Sequence, residues 1–262
     1  MPRARNPAAD SDAVAVPSSS AERSLRLLSL LAQEGRALSL AELSVRLGLP
    51  KVTTHRLCAQ LLDGGFLARD VDERCFAVGP ALRKLAFDTL NHGVVRGLRH
   101  EVLAALVTKV GETCNFTTLD GTQVLYIDRV EAQWPLRLTL DVGSHVPLHC
   151  TASGKLFLAA MPLQEREALI AQLPLTRMTR HTITSAKALK AECEAIAAQG
   201  HSNDREEFIA GLIAVAVPVR DSTGRARAAI ALHAPTARVS LAEAQRQLPA
   251  LRAAAMQMAA LL

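Results

Sequence analysis

The stretch that decides the fold is Ser39–Leu67, "SLAELSVRLGLPKVTTHRLCAQLLDGGFL". Ser39-x-x-Glu42 is a capping box, and Leu40, Leu43 and Leu47 follow it at helical spacing. Gly48 stops that helix. Pro50 suits the first turn of another, which runs to about Asp63 before Gly64-Gly65. Leu40, Leu43 and Leu47 then face Leu57, Leu61 and Leu62, with Thr54 on the same inward arc. The opposite arc of the later helix carries Lys51, Val52, Thr53, His55, Arg56 and Gln60. These side chains contact phosphates or base edges, and Val52 can touch a thymine methyl.

Working outward, Ser19-x-x-Glu22 caps a preceding helix with Leu25, Leu28 and Leu31 on one face. Downstream, Phe66–Ala68 and Cys75–Val78 flank the polar turn Asp70–Arg74, which reads as a hairpin. Three short helices and a hairpin predict a winged helix-turn-helix over residues 20–79. The middle of the unit places the second helix of the pair in a DNA major groove, and the hairpin adds Arg69 and Arg74 near the phosphate backbone. Residues 1–84 hold twelve Lys and Arg against nine acids, so more than half of the net charge of +5 lies in the first third of the chain.

Residues 1–19 mix Pro, Ala, Ser and Asp without period and read as a disordered leader. A linker helix is expected over residues 80–92, followed by a second domain over residues 93–262. There, strands are expected at Thr113–Leu119, Gln123–Arg129, Leu136–Leu140, Leu212–Val219 and Ala226–His233. Helices are expected at Thr151–Ala160, Leu163–Ala171 and Ser185–Gln199, and Ser240-x-x-Glu243 caps a closing helix. The fold class is therefore α+β, with a central, mostly antiparallel sheet in the second domain.

The five cysteines are an odd number without CxxC spacing, which argues against a disulfide framework or structural zinc. No apolar run reaches membrane-spanning length, and the N-terminus lacks the apolar core of a signal peptide. The expected compartment is the cytoplasm, with no membrane partner.

The second domain holds one chemically dense stretch, Val146–Lys155, "VPLHCTASGK". It does not fit a phosphate loop, because Gly154-Lys155 is followed by Leu156 and His149 stands where the earlier glycine belongs. His145 and His149 have the spacing of a helical zinc pair, but Pro147 lies between them. A nucleophile at Cys150 with His149, or at Ser153 with Lys155, lacks an orienting acid nearby in sequence. Neither a metal nor a cofactor is expected. The remaining functional reading is ligand binding. Thr151 or Ser153 caps a helix whose first N–H groups, at the positive end of its dipole, suit a carboxylate. The structural alternative is that Thr151 and Ser153 only cap a helix. Lys155 is expected to face solvent or an interface. Phe116, Leu119, Tyr126 and Trp134 are candidates for an apolar wall or for simple core packing.

The segment "RLGLPKVTTHRLCAQLLDGGFL" resembles the recognition region of the IclR (isocitrate lyase regulator) family of bacterial transcription factors. "VPLHCTASGKLFLA" and "NDREEFIAGLIAVAVPVRDSTGRARAAIALHAP" resemble the two signatures of that family's effector domain. The resemblance covers the chain from about Ser20 onward. It implies a ligand-responsive regulator of a catabolic operon and not an enzyme, with a GAF-like effector domain. Its expected partners are double-stranded operator DNA, a small carboxylate effector and a second copy of the chain, as a homodimer or tetramer. The effector pocket it implies has Ala152 and Ser153 at a helix start, flanked by His149 and Thr151. Asp204 and Glu207 come from "NDREE", Ala214 from the next strand, and Ala231 and His233 from the last.

Overall fold

The helix-turn-helix forms as its capping and turn signals require. The computed structural model describes residues 19–70, 73–90, 93–134 and 140–262. The expected leader, apart from Ser19, lies outside these residues, as do the last two residues of the expected linker and all of the strand expected at Leu136–Leu140 except Leu140 itself. Helix α1 spans Ser20–Glu34 and is capped by the Ser19 hydroxyl. After the two-residue strand β1 (Leu38–Ser39), helix α2 (Leu40–Leu47) starts on a complete capping box between Ser39 and Glu42. Gly48 adopts a left-handed φ of 66°, a conformation open to glycine, and turns the chain into α3 (Lys51–Asp63). Ser44 and Leu49 lock that turn by exchanging two hydrogen bonds, Leu49 N to Ser44 O at 3.1 Å and Ser44 Oγ to Leu49 O at 2.6 Å.

Strands β2 (Leu67–Arg69) and β3 (Cys75–Val78) form the expected hairpin, and β1 extends it to an antiparallel sheet of order β1-β3-β2. Leu27, Leu31, Leu38, Leu43, Leu57, Leu67 and Phe76 fill the core between the helices and this sheet. Thr54 is fully buried and donates to Pro50 O at 3.1 Å, so its hydroxyl is satisfied inside the core.

Helix α4 (Pro80–Leu90) leads out of this unit, and the chain divides into two compact units at Ala86/Phe87, within the helix. The second unit begins in earnest with α5 (Gly93–Val110). Strands β4 (Thr113–Asp120), β5 (Gln123–Val130) and β6 (His145–Pro147) follow it. Next come α6 (Ala152–Ala160), α7 (Leu163–Gln172), α8 (Ala186–Gln199) and the strands β7 (Ser202–Arg205), β8 (Leu212–Arg220) and β9 (Ala226–Pro235). The six strands form one antiparallel sheet of order β6-β5-β4-β9-β8-β7. The closing helix expected after Ser240 is broken into α9 (Leu241–Gln245) and α10 (Leu248–Ala259), with Pro249 at the start of the second piece, where its missing N–H costs nothing. Strands β6 and β7 were not anticipated. Both are short, and β7 is made of polar residues.

Side-chain alternation divides the sheet into two faces. Val215, Val217, Ile230 and Leu232 point to the side covered by α5 and α10. Ala214, Ala216, Ala229 and Ala231 point to the side covered by α6 and α8.

Candidate functional site

On the DNA-reading unit, α3 presents the expected arc. Lys51, Val52, His55, Arg56 and Gln60 are exposed, and Thr53 is half-buried. Val52 is 82% exposed, an apolar side chain held in solvent at the first turn of the helix. The wing arginines differ from each other. Arg69 is exposed, but its guanidinium lies 4.3 Å from the Phe76 ring centroid and donates to Glu73 O at 2.9 Å, which fixes it along the hairpin. Arg74 is exposed at the tip.

In the second unit, the α6 face of the sheet carries a grid of small and polar side chains. One cross-strand row reads Asp204, Ala214, His233, Thr113 across β7, β8, β9 and β4. The next reads Ser202, Ala216, Ala231, Asn115, and continues to Arg129 on β5. Four fully buried alanines, Ala214, Ala216, Ala229 and Ala231, form the floor. Polar residues frame it on both sides. Ser202 Oγ, Asn115 Nδ2 and His233 Nε2 are all buried there without a hydrogen-bond partner. Unpaired buried polar atoms are costly and rare, so three around one patch of methyl groups set this face apart from the rest of the domain.

Burial governs the titration of this face. It pushes Asp204 up to about 7, against two backbone N–H groups, from Glu207 and Phe208, that donate to its Oδ1 and favour the carboxylate. Burial and the charge of Arg129 push His233 down to about 3, so the ring is neutral. Tyr126 is pushed up to about 12, chiefly by burial.

Helix α6 packs over this floor with Ala152 and Ser153 as its first two residues, both buried. Thr151 is the cap. Its hydroxyl accepts from Gly154 N at 3.2 Å and donates to Pro147 O at 2.7 Å. Gly154 is required by close approach, since a Cβ there would lie 2.3 Å from Leu148 O.

Several expectations need correction. Lys155 does not face solvent. It is fully buried and ion-paired to Glu207 and, at 3.3 Å, to Glu192 of α8. Glu207 is therefore occupied by a lysine, with only Oε2 unpartnered. His149 is buried, and its Nε2 is engaged with Thr176 O at 2.9 Å. His145 pairs separately with Asp120 at 2.9 Å, so the two histidines serve different partners. Among the described residues, no cluster of His, Cys, Asp or Glu is arranged to hold a metal. Burial pushes the Cys150 thiol up to about 12, away from nucleophilic thiolate chemistry. Phe116 points to the opposite face, under Arg99, and Trp134 is 43% exposed, stacked 4.6 Å from the Arg238 guanidinium. Asn115, Ser202 and Arg129 were not anticipated. For Asn115 the signal is the alternation of Thr113, Asn115 and Thr117 with Cys114 and Phe116, which puts the polar groups on one face.

A winged helix-turn-helix followed by a domain built on a six-stranded antiparallel sheet is the architecture of a DNA-binding transcriptional regulator with an effector-binding domain. The model of the IclR helix-turn-helix domain matches residues 20–71, and that of the bacterial transcriptional regulator IclR C-terminal domain matches residues 87–260, so the chain belongs to the IclR family. It is 44% identical over 238 residues to the "Probable transcriptional regulator SauR" of Cupriavidus necator, covering 91% of this chain and 94% of that one. It is 30% identical to the acetate operon repressor of Salmonella typhimurium, covering 91% and 88%. Among solved structures, a transcriptional regulator from Rhodococcus sp. RHA1 superposes with a TM-score of 0.64 at 27% identity, over 93% of this chain and 97% of that one. The Agrobacterium tumefaciens repressor BlcR superposes with a TM-score of 0.59 at 28% identity, over 96% and 98%. The family consists of transcription regulators, not enzymes. No described helix is long and apolar enough to cross a membrane.

Proposed function

We propose that this chain controls a catabolic operon in response to a small organic or aromatic carboxylic acid bound on the α6 face of the second unit. The observation that carries this reading is the four-alanine floor ringed by Asp204, His233, Asn115 and Ser202. The alanine methyls make the floor small and apolar, and the ring supplies hydrogen bonds that a desolvated acid requires. The start of α6 at Ala152 and Ser153 adds backbone N–H groups at the positive end of a helix dipole. The name of the Salmonella relative, a repressor of an acetate operon, agrees with control of an operon for a small acid.

Lys51, Val52, Thr53, His55, Arg56 and Gln60 face the operator's major groove, and Arg69 and Arg74 flank it. Two copies pair through α1 and the linker helix, with a tetramer formed through the second units. A two-fold dimer then reads a palindromic operator in the cytoplasm. An acid changes operator binding only by binding the DNA-competent and incompetent states with different affinity.

The test is a panel of carboxylic acids in thermal melting and in operator-fragment retardation. The expected result is an acid that both raises the melting temperature and changes retardation. Retardation with no response to any acid would overturn the effector reading. No retardation of any fragment from the neighbouring promoters would overturn the DNA reading.

A further inference from the structure

Asn115 lies in the middle of β4, wholly buried, on the α6 face. Arg129 fixes its amide. A guanidinium only donates, so the atom that Arg129 Nη1 meets at 3.1 Å is Oδ1. The other end, Nδ2, therefore carries two N–H donors on the α6 face; the Tyr126 hydroxyl stands near enough to draw one of them, and the nitrogen makes no close hydrogen bond among the described residues. In the same row, beyond Ala231 and Ala216, Ser202 Oγ is also buried and unpartnered. An amide and a hydroxyl thus stand at opposite ends of a two-alanine gap. Three interstrand steps of about 4.8 Å separate their backbones by roughly 14 Å. Both side chains rise from the same face of the sheet, on either side of Ala231 and Ala216.

Resting on the reading of this face as the effector site, we propose that Asn115, with Ser202 opposite it, determines effector specificity by selecting short acids that carry an oxygen acceptor at each end. Dicarboxylates belong to this class, as do oxo- and hydroxy-acids whose second oxygen is remote from the carboxylate. A simple alkanoate leaves one set of donors unpaired in a desolvated site. A site built to hydrogen-bond a group discriminates against the analogue that lacks it. Arg129 is the positioning residue, because its contact with Oδ1 is what presents the Nδ2 donors.

The experiment is calorimetry on the full chain with length-matched probes, malonate against propionate and succinate against butyrate. The two-ended acids are expected to bind roughly tenfold tighter than their partners. Asn115→Asp retains an acceptor for Arg129 and removes both N–H donors, so it should bring that ratio to about one or below. In the unaltered protein, malonate and not propionate should shift the side-chain amide resonance of Asn115. That readout and the wild-type ratio do not depend on any variant folding. Equal affinity for the paired acids, or a preference that persists in Asn115→Asp, would overturn the proposal. Equal affinities that Ser153→Ala lowers together would overturn it while leaving the effector site in place. No binding of any of the four acids would also overturn it, and the effector reading would then be decided by the wider acid panel.

Discussion

Lys155 in the first turn of α6 and Glu207 in the turn after β7 form an ion pair shut off from solvent, with side chains 0% and 3% exposed. Glu192 of α8 joins the lysine, and Arg205 joins Glu192 at 2.8 Å. The network ties the helix that covers the alanine floor to the strand that carries Asp204. Removing one member of a buried pair strands the other charge. Lys155→Met is expected to lower the unfolding free energy by about 3–5 kcal/mol, and Lys155→Met with Glu207→Gln to recover part of the loss. Urea denaturation measures both. An unchanged midpoint in the single variant would show that the pair adds no stability.

Two glycines should respond to alanine in opposite directions. At Gly154 the new Cβ would press on the Leu148 backbone, at 2.3 Å from O and 2.5 Å from Cα. Backbone cannot rotate aside as a side chain can, so Gly154→Ala is expected to destabilise by about 3 kcal/mol. Gly97, inside α5, has nothing within 4 Å of the added atom. Gly97→Ala should stabilise by about 0.5–1 kcal/mol through helix propensity and a less flexible unfolded chain. Thermal melts of the two variants, read against the parent, decide the matter.

On α3, Arg56→Ala should weaken operator binding by about 1–3 kcal/mol and relax sequence preference if the arginine reads a base edge. Lys51→Ala should weaken binding to all sequences alike and reduce the salt slope by about 1 if the lysine meets a phosphate. Fluorescence anisotropy across a salt series distinguishes the two. Full affinity in a variant lacking Lys51, Thr53, His55 and Arg56 together would rule out α3 as the recognition helix.

Asp204 sets a pH dependence whose sign is fixed by its raised titration, at about 7 in the fold. Between pH 4 and pH 7 the folded chain holds a proton that the unfolded chain has released. The stabilisation is therefore complete at the acid end and is lost progressively as pH rises to about 7, by roughly 4 kcal/mol. Asp204→Asn keeps an acceptor for the Glu207 and Phe208 amides and should flatten that slope. The check is denaturant unfolding at several pH values, compared between parent and variant. Equal slopes would mean that Asp204 titrates normally.

The recognition unit was legible in the sequence because its determinants are local. Capping serines, the Gly48 turn and the leucine spacing each act within a few residues, and Ser39, Gly48 and Thr54 do in the fold what their spacing implies. The start of α6 was legible for the same reason, through the Thr151 cap. What remained hidden was decided by pairing across the sheet. Lys155 reads as a surface lysine until Glu207, 52 residues on, and Glu192 are brought to it and make its burial tolerable. Asn115 and Ser202 are ordinary strand residues until β4, β9, β8 and β7 align them in one row. Phe116 meets the core-packing alternative, on the face that its register sets, whereas Trp134, in the loop after β5, is neither wall nor core. Sequence alone determined the family, the helix-turn-helix and the start of α6. Tertiary structure alone decided which polar groups meet on the α6 face, because burial and cross-strand alignment join residues that no local spacing relates.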